Sequence, residues 1–287
     1  EDLRHAKRFI FLEYFIISDG KIWREVKDIL AQKIQEGVEV RLLFDDFGSL
    51  MINTEEFRHE LAVLGLRFGI FSPIHEGTSR LTFNYRNHQK IAIIDGNIGY
   101  TGGINLADEY ANIITRFGHW KDTAVRLEGD GVWGLTSIFL EMWEFSKGYE
   151  DLDYTKYHPT CSIQCRGFVQ PMADGPANNP HNPIEETYTH MINKARNYIY
   201  FTTPYLVLDQ KMVDDLCRAA HSGVDVRIVT PRMYDKWYVY MVTVSNYGPL
   251  LANGVKIYEY KPGFIHSKTV AMDDECAICG SINMDYR

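Results

Sequence analysis

Apolar residues in the first third of the chain alternate between short continuous runs and a helical spacing. The run FIFLEYFII at 9–17 predicts a central strand, and the apolar spacing over 22–36 predicts a helix that Gly37 ends. A strand VEVRLLF, a helix from about 54 to 64 and a strand RFGIF follow. This alternation of strands and helices is typical of an α/β fold with a mostly parallel sheet flanked by helices.

The same order of elements returns in the last third of the chain. Apolar runs predict strands at 197–203, 224–230 and 256–260, and helical spacing predicts helices at 209–221 and 235–252. The words GVEVR at 37 and GVDVR at 223 lie at equivalent places in the two series. The pattern therefore predicts two similar halves.

A longer repeat supports the duplication. The stretch NHQKIAIIDGNIGYTGGIN at 87–105 recurs as IHSKTVAMDDECAICGSIN at 265–283. Five polar or glycine positions are displaced by the same 178 residues (266 − 88 = 178), namely His88, Lys90, Asp95, Gly102 and Asn105, which recur as His266, Lys268, Asp273, Gly280 and Asn283. A repeat on this scale indicates two half-domains of similar structure.

The repeated residues suit chemistry on a phosphodiester. Alternate residues of a strand share a face, so each half presents one imidazole and one ammonium together. If the halves face each other about a pseudo-twofold axis, two histidines and two lysines converge on one pocket. One neutral imidazole can attack phosphorus while the other, protonated, donates to the leaving oxygen. This scheme requires neither a metal nor a cofactor, and the motif symmetry gives no preference for either histidine as nucleophile.

The doubled HxKxxxxDxxxxxxGxxN resembles the phospholipase D superfamily. Segments such as FIFLEYFIISDG, GVEVRLLFDDFGS, HWKDTAVRLEGDGV and LLANGVKIYEYKPGFIHSKTVAMDD are similar to bacterial cardiolipin synthases, and the similarity runs over nearly the whole chain. The resemblance implies two phospholipase D-like α/β sandwich halves and a phosphohistidine intermediate. It also implies that His88 is the nucleophile and His266 the general acid and then base. Lys90, Lys268, Asn105 and Asn283 would stabilise charge on the phosphate oxygens.

The resemblance adds further site residues. It pairs each catalytic histidine with a carboxylate, and the match in WKDTAVRL predicts that Asp122 orients His88. The counterpart for the second half is expected beyond Arg287. Substrate-binding positions are predicted at Glu13, Gly103, Ser281 and Tyr205. For Glu13 the alternative is a strand-end carboxylate that reaches solvent.

Domain boundaries follow from the repeat and from the turn-rich stretch between the copies. The first half is predicted at 1–149, a linker at 150–185, and a second half with an incomplete C-terminus at 186–287. Bacterial cardiolipin synthases carry membrane-spanning helices ahead of the matching region, so the resemblance implies a catalytic region truncated at both ends. It also places that region at the bacterial cytoplasmic membrane, on the side of a reducing aqueous compartment.

Charge and cysteine content bear on three questions: nucleic-acid binding, redox compartment and zinc binding. A net charge of −8 argues against a nucleic-acid-binding protein. Five cysteines, an odd number, fit a reducing compartment. A zinc site from Cys161, Cys165, Cys276 and Cys279 is the weaker interpretation, because the last two occupy the places of Ile98 and Thr101 in the first copy. Histidines without motif context, His75 and His181 among them, are predicted to be surface or packing residues.

Two apolar segments leave alternatives open. The helix predicted at 131–147 could lie on a membrane, but packing between the halves is favoured. The aromatic segment 232–251 could border the mouth of a pocket or form a surface helix.

The predicted function is transfer of a phosphatidyl group between two phosphatidylglycerol molecules, giving cardiolipin and glycerol. Membrane lipids are therefore the expected partners, and the oligomeric state stays open. A hydrolytic phospholipase D or phosphodiesterase is the alternative, and a non-catalytic scaffold is a further one.

Overall fold

The computed structural model describes residues 1–74, 85–148, 153–165, 167–175 and 182–285. His75, His181 and part of the predicted linker lie outside these ranges. The chain divides into two compact units. The first consists of Glu1–Asp108 and Val125–Ala173, and the second of Glu109–Ala124 and Asp174–Arg287. Residues 109–124, which the sequence pattern assigns to the first half, therefore pack with the second unit, and we call them the inserted segment.

The elements up to the end of the first unit follow the predicted order. A short 3₁₀ turn at Asp2–His5 leads into β1 (Phe9–Tyr14), α1 (Lys21–Gln35), β2 (Glu39–Asp45), α2 (Glu55–Val63), β3 (Arg67–Phe71), β4 (Lys90–Ile94) and β5 (Ile98–Gly102). A 3₁₀ turn at Asp108–Ala111 and β6 (His119–Lys121) precede β7 (Ala124–Glu128), α3 (Val132–Lys147) and a 3₁₀ turn at Tyr154–Tyr157.

The first sheet has the strand order β3-β2-β1-β4-β5-β7. Strands β1, β2 and β3 pair in parallel, whereas β4 is antiparallel to both β1 and β5. The sheet is thus mixed, because the chain enters β4 from the side opposite to β1 and returns through the tight turn after Ile94. The histidine-lysine motif lies at the start of the antiparallel strand β4.

The remaining elements repeat this plan in the second unit. They are α4 (Pro183–Lys194), β8 (Tyr198–Thr202), α5 (Gln210–His221), β9 (Asp225–Pro231), α6 (Trp237–Ser245), α7 (Tyr247–Ala252), β10 (Lys256–Tyr260), β11 (Gly263–Ile265), β12 (Thr269–Met272) and β13 (Cys276–Cys279). The sheet order is β10-β9-β8-β12-β13, with β12 antiparallel to its neighbours.

The glycines that follow α1 and α5 explain why these helices end where the sequence pattern predicts. Gly37 after α1 has φ +86°, and its N–H donates to Ile34 while the next N–H donates to Lys33. Gly223 after α5 has φ +92° and makes the equivalent pair of bonds. This arrangement satisfies carbonyls at the helix end and requires a left-handed residue, for which glycine has no steric cost.

Helix α3 packs on the first sheet. Its buried side chains join those of β1 and β4 in one core that includes Phe11, Ile93, Leu135, Phe139 and Trp143. Helices α1 and α2 cover the opposite face of the same sheet. The helix therefore packs in a core, and this core is formed with the sheet of its own unit.

Two further differences from the sequence pattern occur in the second unit. The predicted helix 235–252 breaks at Asn246 into α6 and α7. Pro249 has no N–H with which to continue the hydrogen-bond ladder, which accounts for the break. Helix α4 begins at Pro183, inside the predicted linker, where proline suits the first turn.

The inserted segment contributes strand β6 to the second unit, where β6 and β11 form a two-stranded sheet. Strand β6 pairs in parallel with β11, with Trp120 opposite Phe264 and Lys121 opposite Ile265. Asn112 fixes the segment internally, since its side chain donates to the carbonyl of Trp120 at 2.9 Å and accepts from the Trp120 N–H at 2.7 Å. The register of β6 on β11 determines what lies next to the second histidine.

Candidate active site

Asp122 and His266 form a hydrogen-bonded pair in the second unit. One residue beyond the Lys121–Ile265 pair of the β6–β11 ladder, Asp122 Oδ2 lies 2.7 Å from Nδ1 of His266. The backbone N–H of His266 also donates to the carbonyl of Lys121 at 2.7 Å. Parallel pairing thus positions the carboxylate and the imidazole together, and the pair fixes the orientation of the imidazole ring.

The surroundings of Asp122 keep it ionised. Burial opposes ionisation, but the hydrogen bond from His266 and the charges of His266 and Lys268 outweigh it, and the pKa of Asp122 lies below its ordinary value. The other carboxylate oxygen accepts the backbone N–H of Thr123 at 2.8 Å. A buried carboxylate that is paired in this way can stabilise a positive charge on the imidazole.

Aromatic rings enclose the second histidine. The ring of Trp120 lies 5.3 Å from that of His266, and Tyr110 meets it edge-on at 5.5 Å. Both aromatic residues belong to the inserted segment and both are buried. The inserted segment therefore supplies the carboxylate and part of the apolar wall around one catalytic candidate.

Lys268 completes the motif in the second unit. Its side chain is buried, and its Nζ donates to the carbonyl oxygen of His266. Burial lowers the pKa of Lys268 to about 7, against the opposing effect of Asp122 and more distant aspartates. A bound anion beside this amine would favour its protonated form.

Lys90 in the first unit repeats this contact. Its Nζ donates to the carbonyl oxygen of His88, two residues earlier, and lies 5.3 Å from the centre of the Phe15 ring. The His88 ring lies 5.0 Å from the same phenylalanine. The duplication thus extends from sequence to side-chain geometry within each unit.

Asn87 holds the backbone just before His88. Its side chain donates to Glu13 Oε1 at 2.6 Å and accepts the Gln89 N–H at 3.0 Å, and its own N–H donates to Asp45 Oδ2 at 3.0 Å. Two carboxyl groups on adjacent strands, β1 and β2, therefore fix the residue that precedes the first histidine.

Both of these carboxyl groups are buried and have raised pKa values. Burial raises the pKa of Glu13 to about 8, although Asn87 and Lys90 act in the opposite direction. Burial likewise raises the pKa of Asp45 to about 6, against hydrogen bonds from backbone N–H groups. Glu13 is 0% exposed, so the alternative of a carboxylate that reaches solvent is wrong.

Among the residues that the structure describes, the second unit has no equivalent of this carboxyl–amide pair. Glu13 lies opposite Ile91 in the first sheet, and Thr202 lies opposite Thr269, the counterpart of Ile91, in the second. Ile265 occupies the place of Asn87. The two histidine motifs therefore differ in their supports: a carboxyl–amide pair before His88, and Asp122 beside His266.

The motif aspartates Asp95 and Asp273 lie just beyond the C-terminal ends of β4 and β12. Asp95 accepts the backbone N–H groups of residues 7, 8 and 9, and Asp273 accepts those of residues 196, 197 and 198. Each aspartate comes seven positions after its histidine and directly follows the last residue of β4 or β12. In the structure each aspartate ties the start of β1 or β8 to the end of its neighbouring strand, and its catalytic role stays a prediction.

The other predicted site residues are distributed between the units. In the first unit Gly103 is buried, and Asn105 is buried with its Oδ1 accepting the Ile16 N–H at 2.9 Å. In the second unit Ser281 is buried and Asn283 donates to Asp285 at 3.3 Å. Tyr205 donates to Asp235 Oδ2 at 2.5 Å. Their contacts with substrate stay predictions.

The expectation that Asp122 orients His88 is wrong. Asp122 pairs with His266, so a carboxylate partner for the second histidine lies within the chain and 144 positions before it. The reason is the parallel pairing of β6 with β11, which assigns this segment to the second unit. Sequence patterns missed Asn87 and Trp120, and their only signal was proximity to a repeated motif.

The described residues contain no cluster of three or more His, Cys, Asp or Glu side chains that could hold a metal ion. Cys276 and Cys279 lie at the two ends of β13, which pairs along its length with β12. Within the part of the chain that the structure describes, no helix is long and apolar enough to cross a bilayer.

The fold of this chain is similar to that of a solved enzyme structure. The chain resembles the crystal structure of phosphatidylserine synthase from Haemophilus influenzae with a TM-score of 0.66 and 14% identity, covering 95% of this chain and 72% of that one. At this identity the likeness concerns the fold alone. The two similar α/β units of this chain therefore have the fold of that enzyme, and each carries a histidine-lysine motif.

Sequence comparisons identify the family. A family model described as "Cardiolipin synthase, PLD-like domain" matches residues 1–113 and 188–287, and the chain belongs to this family. It is 40% identical over 289 residues to cardiolipin synthase 2 of Bacillus anthracis and 37% identical over 287 residues to the major cardiolipin synthase of Bacillus subtilis. The matches cover 100% of this chain but 56% and 59% of those proteins.

Proposed function

We propose that the protein of which this chain is part transfers a phosphatidyl group from one phosphatidylglycerol to another, giving cardiolipin and glycerol. Family membership, the cardiolipin synthases among its relatives and the doubled histidine-lysine motif support this assignment. The main observation in support of the mechanism is the hydrogen bond between Asp122 and His266, because a carboxylate-bound imidazole is suited to proton transfer.

In the proposed first step, His88 attacks the phosphorus of phosphatidylglycerol. The bond from phosphorus to the glycerol oxygen breaks, and His266 gives that oxygen a proton, so that glycerol leaves and a phosphatidyl group stays on His88. Because Nδ1 of His266 is held by Asp122, the proton passes through Nε2. Asp122 stabilises the charged imidazole before the transfer, as a positioning residue.

The second step reverses these roles. His266, now neutral, takes the proton of a hydroxyl group on a second phosphatidylglycerol, whose oxygen attacks phosphorus and displaces His88. Cardiolipin is the product, and both histidines return to their starting protonation states. Attack by water in place of the second lipid would give phosphatidic acid.

The lysines would hold the phosphate oxygens during both steps. Lys90 and Lys268 each lie next to the backbone of their histidine, which limits their reach to the region of the reacting phosphorus. A lysine ammonium acts as a point charge for such oxygens. Burial strengthens this interaction, because the same charge acts more strongly where water is excluded.

The test measures lipid products by mass spectrometry after incubation of the full-length protein with phosphatidylglycerol micelles. We expect cardiolipin and glycerol in a one-to-one ratio, and loss of both in His88→Ala and in His266→Ala. Asp122→Asn keeps the shape of the side chain and is expected to lower kcat by about 10²–10⁴-fold. The matched control is Asp130→Asn, an exposed aspartate of the same chain.

Trapping the intermediate assigns the two roles. Rapid quenching in base, followed by peptide mass spectrometry, should recover the phosphatidyl adduct on the peptide that contains His88. An adduct on the His266 peptide would reverse the roles, and phosphatidic acid as the main product would make the enzyme a hydrolase. An intact fold without turnover of phospholipid would overturn the proposal.

A further inference from the structure

Helix α6 exposes apolar side chains and buries a polar one. Among its nine residues, Trp237–Ser245, the one buried side chain is that of Thr243, whose Oγ1 accepts the Leu206 N–H at 3.1 Å. Trp237 is 68% exposed and Met241 is 63% exposed, and Tyr238 and Val242 are exposed beside them. Helices of globular proteins normally bury their apolar side and expose their polar one, so this face has the character of a contact surface.

The composition of this face is that of a membrane interface. The stretch WYVYMVTVSNYGPLL at 237–251 contains no charged residue. Tryptophan and tyrosine have an apolar ring with a polar edge, and both are enriched where bilayers meet water. A contact with another protein would also tolerate aromatic residues, but the chemistry of the neighbouring motif favours lipid.

The charges that border the helix are paired. Arg232 contacts Glu259 at 2.9 Å and Lys236 contacts Asp235 at 3.6 Å. Each cation thus has an anion beside it, and the segment carries little local net charge. Binding through this face would depend on burial of apolar area rather than on attraction to anionic lipids.

The residues just before the helix act electrostatically on the second histidine-lysine motif. Asp235, two residues before α6, accepts the hydroxyl hydrogen bond of Tyr205, and both Asp235 and Lys236 act electrostatically on Lys268. Asn246 at the other end donates to the carbonyl of Leu206 at 3.0 Å. If the proposed function holds, a lipid with its phosphate at Lys268 has its acyl chains in the bilayer on which α6 would lie.

We propose that the exposed face of α6, formed by Trp237, Tyr238 and Met241, inserts into the interfacial layer of a lipid bilayer and presents the second unit to its substrate. This inference deepens the proposed function, since it names the surface through which lipid reaches the motif.

The test uses the 287-residue chain and vesicles of phosphatidylcholine, a zwitterionic lipid. Flotation should give a measurable partition coefficient that changes little between about 50 and 500 mM salt. The double variant Trp237→Ser/Met241→Ser should lose at least tenfold in partitioning with an unchanged circular dichroism spectrum. The matched control is Met51→Ser/Phe168→Ser, which removes apolar side chains that are 92% and 104% exposed elsewhere, and it should partition like the parent.

Three outcomes would overturn the inference. They are absence of partitioning on phosphatidylcholine, equal losses in the control variant, and binding that requires phosphatidylglycerol and disappears at high salt. Sedimentation velocity without lipid gives a fourth: a dimer that Trp237→Ser/Met241→Ser abolishes would assign the face to a second copy of the chain. Vesicle binding is measured without turnover, so a failure of the proposed function alone would leave this result unchanged.

Discussion

The buried carboxyl group of Glu13 accounts for much of the difference between the surroundings of the first and the second histidine-lysine motif. Glu13 is buried on β1, and its Oε1 accepts the side-chain N–H of Asn87, the residue before His88. Its pKa is raised from an ordinary value of 4.5 to about 8, so the folded protein keeps this proton at neutral pH. The unfolded chain releases it. The difference costs stability of order 3 kcal/mol at pH 7.

Glu13→Gln should therefore stabilise the protein in a pH-dependent way. Between pH 4.5 and 8 the folded state binds the Glu13 proton more tightly than the unfolded state, so the stability of the parent falls as pH rises through this window and levels off above it. Glutamine does not ionise. The gain in free energy of unfolding for the variant should grow from pH 5 to pH 8, as measured by urea denaturation. Parallel curves for parent and variant would refute the assignment, and the exposed Glu275→Gln should follow the parent.

At the scale of elements, helix α3 shows how an apolar segment acquires its place. Phe139 is buried and its ring stacks on Phe11 of β1 with centroids 4.7 Å apart, while Trp143 continues the row. These rings fill the space between α3 and the first sheet. Most of the apolar surface that suggested a membrane contact in the sequence is thereby removed from water.

Phe139→Ala should destabilise the first unit by about 3–5 kcal/mol, because the truncation leaves a cavity between α3 and β1. Chemical denaturation monitored by circular dichroism measures the loss. Phe145→Ala on the same helix removes an exposed ring and should cost less than about 1 kcal/mol. Similar losses for the two variants would mean that α3 is not held by this core.

The elements were the part of the fold most readily predicted from sequence. Strands β1 to β3 and helices α1, α2 and α5 agree with the apolar periodicity to within a few residues, because left-handed glycines and N-caps such as Thr54 and Asp209 mark the helix ends locally. The antiparallel entry of β4 and β12 was not predictable in this way. Strand direction depends on the path of the connection, which periodicity does not record.

For the molecule as a whole, the decisive feature is that the chain's two compact units do not coincide with its two sequence repeats. The repeat predicts both histidines and both lysines, since these residues are local and recur at a fixed displacement. The partner of His266 could not be predicted, because Asp122 reaches it through the register of β6 on β11. Contacts between residues far apart in sequence depend on strand pairing, and here pairing crosses the repeat boundary.

A fragment that begins at Asp174 should therefore be incomplete. Without the inserted segment it loses β6 and uncovers Phe264, whose ring lies 5.1 Å from that of Trp120. We expect such a fragment to bind a hydrophobic dye, and a synthetic peptide of residues 109–124 to suppress that binding. A peptide with Trp120→Ala should bind at least about tenfold more weakly. Native near-ultraviolet circular dichroism for the fragment alone would contradict this prediction.

The inserted segment also affects when parts of the protein can fold during synthesis. Asp122 and His266 are separated by 144 positions, and ribosomes add about 5–20 residues per second, so the partner strand of β6 is synthesised roughly 7–30 s after β6 itself. During that interval Tyr110, Trp120 and their neighbours have left the ribosome without the strand against which they pack. The nascent chain therefore exposes the aromatic side chains of the inserted segment until β11 has been synthesised.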